Sequence, residues 1–174
     1  GVIVPPPHSE NAQITGLLAE SGIPFARIGS KEAGPGIAMT MGDELLAGKA
    51  TDHLIELGHT RIGFISGPAE YSLTSWRVDG WREAMANAEF DCDGLLERGD
   101  FGFESGLAAA RALLDGDIRP TAIIASSDQM ALATLEAAKE RGLNVPKDLS
   151  VISFDNTPIV RFSNPPLTAL DQPI

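Results

Sequence analysis

Two spacings of apolar residues alternate along this chain. Short, mostly apolar runs lie at 1–4, 23–28, 61–66, 95–98, 121–126 and 149–154. Runs of that length read as strands, and continuous ones such as AIIA at 122–125 read as strands covered on both faces. Between them the apolar spacing lengthens to three or four. Ile14, Leu17 and Leu18 share one helical face. So do Leu46, Ala50, His53, Leu54 and Leu57 in a second segment, and Leu107, Ala110 and Leu114 in a third. Ala131, Thr134, Leu135 and Ala138 line a fourth. Another helix, preceded by loop, is expected within 72–88. Ser9 is the expected cap of the first helix, Gly42 or Asp43 the start of the next, and Ser126-Ser127-Asp128 suit a turn and cap, with Asp128 the expected capping residue. Gly22, Gly58, Asp115-Gly116 and Gly142 are expected stops, and Pro146 bars any continuation after Gly142. Residues 29–36, with three glycines and a proline, read as loop.

The regular alternation of strand and helix predicts an α/β fold, a parallel sheet flanked by helices in three layers (α/β/α). In such a sheet the turns after 121–126 and 149–154 lie at the carboxyl ends of strands, where open α/β sheets bind ligands. They carry Asp128 and Asp155. The 174 residues suffice for one domain with a real core and part of a second. Lys and Arg number 13 against 24 Asp and Glu, a net charge of −11. A chain this acidic repels nucleic acid, so it is not itself a DNA-binding module. The single cysteine, Cys92, forms no internal disulfide. No apolar run reaches the roughly 18 residues of a membrane span. Gly1 opens inside a strand-like run, so further residues are expected before it.

The stretch AIIASSDQMAL at 122–132, followed by Gly142-Leu143, VPKDLSVISFDN at 145–156 and PPLT at 165–168, resembles the effector-binding core of the lac repressor/gal repressor family of bacterial transcriptional regulators. HLIELGHTRIGFISGP at 53–68 and Arg77-x-x-Gly80-Trp81 resemble the same family, in its order and spacing. The resemblance implies a periplasmic-binding-protein-like fold, with a small ligand held between two lobes. It places residues 1–40 in part of the first lobe and 41–166 in the nearly complete second. Residues 167–174 become a crossover strand returning to the first. The helix-turn-helix that reads operator DNA would lie outside this sequence.

Five residues carry the binding expectation. Asp155 ends a strand, and its carboxylate can accept two hydroxyls of a sugar. The plain alternative is a cap for the turn through Pro158. Arg77 offers a rigid fork of donors. Its alternative is a surface ion pair with Asp79 or Glu83. Both residues match ligand-binding positions of the family. The resemblance also points to Phe101 as a stacking ring, with Phe103 the competing core residue. Ser127 stands where relatives often carry asparagine, and Ser126 is not expected to reach the cleft. Gln172 is expected to approach from the hinge side. Gly29 departs from an aspartate of the lac-type members, so effector identity does not carry over from them.

Other chemistries fit poorly. His53 and His59 lack metal-ligand spacing. GDELLAGK at 42–49 has one residue too many between its glycines for a phosphate loop, and Ala50 stands where Ser or Thr must be. No nucleotide-binding glycine fingerprint or nucleophile elbow occurs. The expectation is therefore a non-enzymatic, cofactor-free sensor for a sugar or similar polar molecule, in a cytoplasmic regulator. The rival is a periplasmic sugar-binding protein of a transporter. A homodimer is expected through residues 158–164, where Ile159, Val160 and Phe162 are apolar, and the helix at 129–141.

Overall fold

The computed structural model describes residues 1–172. Eight strands and five α-helices form two parallel sheets. The first sheet has the order β1-β2-β3, from Val2–Val4, Phe25–Ile28 and Ile37–Met39. Helix α1, Ala12–Glu20, lies between its first two strands. Ser9 does not cap this helix. It lies in a 3-10 turn, His8–Glu10, and Asn11 caps α1 instead, accepting from the amides of Gln13 and Ile14 at 2.9 and 3.1 Å. Strand β3 lies just past the glycine-rich loop and is exposed throughout, so no burial pattern marks it in the sequence.

The second sheet has the order β5-β4-β6-β7-β8, all pairs parallel. Its strands are Ile62–Ser66 (β4), Leu96–Arg98 (β5), Ala122–Ala125 (β6), Ser150–Asp155 (β7) and Thr168–Asp171 (β8). The four strands expected from the apolar runs are present and parallel. The fifth comes from the segment 167–174, which runs along β7 as an edge strand through Asp171; Pro173 and Ile174 lie outside the described residues. Helices α2 (Asp43–Glu56) and α3 (Ser72–Asn87) cover one face, α4 (Phe103–Asp115) and α5 (Asp128–Glu140) the other. The strand period of two sorts the core. Ile62, Phe64, Ala122, Ile124, Ile152 and Phe154 meet α2 and α3 around Trp81, while Ile65, Ile123, Ala125 and Val151 meet α4 and α5.

Helices α2 and α3 pack closely because Gly80 faces the backbone of α2. A Cβ there would sit 2.0 Å from the carbonyl oxygen of Glu44. The buried stripe of α2 is Asp43, Ala47, Ala50, Thr51 and Leu54. It is rotated from the expected face, leaving His53 and Leu57 exposed. The helix can turn its small residues inward because Trp81 and Met85 of α3 fill the space beyond them. Phe103, the competing core residue, is also exposed at the first position of α4, whose buried stripe begins only at Gly106. His59 joins the opposite edge, with Nδ1 2.9 Å from Thr121 Oγ1 and Nε2 3.0 Å from Ser150 Oγ.

Candidate functional site

Parallel strands deliver their carboxyl ends to one edge, and six chain segments meet there. A cavity of about 240 Å³ is lined by Arg77, Phe101, Ser127, Asp155 and Gln172, together with Pro6, Tyr71, Leu73 and Ser126. All five residues singled out in the sequence are thus brought together. Pro6 follows β1, so the first sheet contributes a wall. At Phe101, Ser127 and Asp155 the lining is shared with a second cavity of about 400 Å³, which reaches Asp128, Gln129, Thr157 and Ile159. A separate open groove of about 470 Å³ between α2 and α3 shares none of these lining residues and includes Lys31, Glu44, Lys49 and Glu83.

Arg77 is 4% exposed, and its partner is neither Asp79 nor Glu83. Its Nε donates to Asp43 Oδ1 at 2.8 Å, with Nη2 2.7 Å from the same oxygen, and Nη1 donates to the Ser126 carbonyl at 2.9 Å. The guanidinium lies 4.3 Å from the centre of the Phe154 ring. Asp43, in the first turn of α2 and 2% exposed, therefore holds Arg77 from behind. An arginine in the amino-terminal half of a helix opposes the helix dipole, and this pairing offsets that cost. Two N–H groups of the fork have no partner among the described residues.

Asp155 is held in an unusual backbone. Its φ is 93°, that of Asn156 is 56°, and that of Phe101 is 71°. Positive φ at residues with a Cβ costs on the order of 1–3 kcal/mol and tends to collect at functional sites. Asp128 anchors this turn. It accepts from Ser153 Oγ, and from the amide and the hydroxyl of Thr157, both at 2.6 Å. Asn156 donates to Asp171 of β8 at 2.9 Å. Burial pushes the Asp155 carboxyl above its ordinary range; nearby Arg77 and the Asp128 backbone pull it down, and the charges of Asp128 and Asp43 add to the rise.

Ser127, not Asp128, caps α5. Its Oγ accepts from the Met130 amide at 3.2 Å and donates to the Phe101 carbonyl at 2.8 Å. That hydroxyl is committed to joining two turns of the cavity. Ser126 corrects the expectation the other way: it lines the cavity, and its buried Oγ has no partner among the described residues. Gln172 Nε2 is likewise buried and without a partner among the described residues, while its backbone amide lies 3.4 Å from the Asp155 carbonyl. Phe101 packs over Gly67, where a Cβ would come within 2.1 Å of the ring, and meets Tyr71 edge-on at 5.5 Å. The spacing of the strands gave no sign of Tyr71 or Leu73, because nothing in it says where the loop after β4 folds. On the α5 side, Phe162 is 86% exposed and Ile159 is exposed, but Val160 is buried and so offers nothing to a partner.

The arrangement resembles known proteins closely. The model of the periplasmic binding protein-like domain matches residues 51–174. The HTH-type transcriptional repressor CytR of Escherichia coli K12 is 46% identical over 125 residues, which cover 71% of this chain and 37% of that protein. A regulatory protein of the LacI family from Chloroflexus aggregans superposes with a TM-score of 0.89 at 31% identity, covering 98% of this chain and 62% of that one. A solved complex of the transcriptional regulator CelR with cellobiose gives a TM-score of 0.88 at 33% identity, covering 99% and 54%. The chain spans between about a third and a half of the length of the curated relatives it matches. It belongs to the periplasmic binding protein-like domains of the lac repressor/gal repressor family of transcriptional regulators.

Proposed function

We propose that this chain is the effector-binding region of a transcriptional regulator and that the cavity at Arg77, Phe101, Ser126, Asp155 and Gln172 holds the effector. One observation carries the reading: among the described residues, two cavity-lining side chains, Ser126 and Gln172, each have a buried polar atom, Oγ and Nε2, without a partner. An orphaned buried polar group costs about 1–3 kcal/mol, so a ligand that satisfies both gains what the free protein lacks. Phe101 supplies an apolar face, Asp155 an acceptor and Arg77 two free donors. That set suits a sugar or a related polar ring. The CelR neighbour was solved with cellobiose, which points the same way.

With Pro6 as one wall, the ligand would lie between the two sheets, each read as part of one lobe. A ligand that fits one lobe arrangement better shifts the protein toward it by the difference in its affinities. Operator DNA would be contacted by a segment outside this sequence, in a cytoplasmic protein. Ile159, Phe162 and the outer face of α5 would form a homodimer contact, tested by the solution mass of the full-length protein. The periplasmic transport reading is less favoured, since the relatives are named as regulators.

Calorimetry on the full-length protein with a panel of sugars tests the site. Asp155→Ala and Gln172→Ala should each weaken binding on the order of 10- to 30-fold. Glu136→Ala, on α5 away from the cavity, should leave it unchanged. Normal binding by both site variants means the ligand sits elsewhere.

A further inference from the structure

We infer that the cleft takes an uncharged, hydroxyl-bearing ring and discriminates strongly against the phosphate ester of that ring; this rests on the effector reading above and adds the charge class. Arg77 is the only cation among the residues lining either cavity. Its charge is already matched by Asp43. Asp155 and Asp128 then stand as two further carboxylates beside the ligand space, neither in an ion pair among the described residues.

Helix amino termini are the usual alternative source of positive potential for a phosphate. Three of them, those of α3, α4 and α5, begin at this edge, and each already meets an acid; at α4, Asp100 accepts from the Gly102 amide at 2.8 Å and Glu104 stands in the first turn. Ser72, in the first turn of α3, donates to Glu10 of the first-sheet region. At the start of α5, Ser127 accepts from the Met130 amide and Asp128 occupies the first turn. Glu10, Asp43, Asp128 and Asp155 thus oppose one guanidinium. Among the described residues, the side chains of the cleft with a buried atom that lacks any partner, Ser126 and Gln172, are neutral, and the two free N–H groups of Arg77 belong to a cation already matched by Asp43. A hydroxyl and an amide N–H pair well with hydroxyls and ring oxygens. They do not neutralise a dianion, which would lose its hydration beside unmatched carboxylates.

Calorimetry on the full-length protein with matched pairs decides it: D-ribose and its 5-phosphate, D-glucose and its 6-phosphate, adenosine and its 5'-monophosphate. The first two pairs report free sugars, the third a nucleoside. At least one neutral member should bind, and its ester should bind on the order of 30-fold more weakly or worse. Asp155→Asn, with its circular dichroism unchanged, should shrink that ratio to about a few-fold as the repelling charge goes. An ester that binds as tightly as its parent overturns the charge assignment and leaves the cleft standing. A ratio unchanged in Asp155→Asn overturns it too. Failure of every neutral ring overturns the cleft reading beneath it.

Discussion

The two sheets answer the same sequence pattern differently. In the second, β4 and β6 are buried at every position, and each face carries its own helices and core. In the first, β3 is exposed throughout, and Ile3 (72%), Ile37 (68%) and Leu17 (65%) face solvent. Apolar periodicity states which side of an element wants burial. Whether burial happens depends on what else packs there. The second region supplies four helices for five strands, and the first supplies one for three. The cavity at Arg77 and Asp155 sits where the two meet, with the well-packed region providing nearly all of its groups.

Substitutions should separate the two regions sharply. The largest loss is expected at Trp81, fully buried, 5.6 Å from Phe64, its Nε1 donating to the Ile62 carbonyl at 3.1 Å. Trp81→Ala should cost about 3–5 kcal/mol in denaturant unfolding. Leu17→Ala, at a helical apolar position of the first region, should cost less than about 0.5 kcal/mol. Equal losses would mean that the exposed face of α1 is covered in solution.

Arg77→Ala follows closely. It strands Asp43 as a buried carboxylate and should cost about 3–5 kcal/mol, so this variant loses stability as well as any ligand. Unchanged denaturation midpoints would show that Asp43 finds water. Gly80→Ala should cost about 1–3 kcal/mol by forcing α3 away from the Glu44 backbone.

Smaller effects concern protons. The Asp155 carboxyl is raised in the folded state, so it favours folding most below its unfolded value of 3.8, and that contribution is lost as pH rises through the folded value. At neutral pH the ionised carboxylate therefore destabilises the free protein. Asp155→Asn should raise the melting temperature of the unliganded protein at pH 7 while weakening sugar binding; a lower melting temperature would count against burial of this charge. His59 behaves oppositely, because burial lowers its value. Its contribution is complete above the ordinary 6.5 and falls as pH drops below it. His59→Asn should flatten the melting temperature between about pH 7 and 5, by the smallest margin of this series.

The readable part of this protein was its local part. Strand runs, helix stops and the strand–helix alternation depend on neighbours in sequence, and they are enough to send Asp155, Phe101 and the turn at Ser127 to one edge of a parallel sheet. The resemblance to known regulators then singled out Arg77 and Gln172. Tertiary structure decided what those groups are free to do. Arg77 meets Asp43 across 34 positions of sequence, on a helix whose buried stripe is turned from its apolar face. Ser127 is bound to Phe101 across 26, whereas its neighbour Ser126 is left with a hydroxyl to offer. Hydrogen bonds and ion pairs act over about 3 Å, a range that sequence spacing does not resolve once chain segments fold past one another.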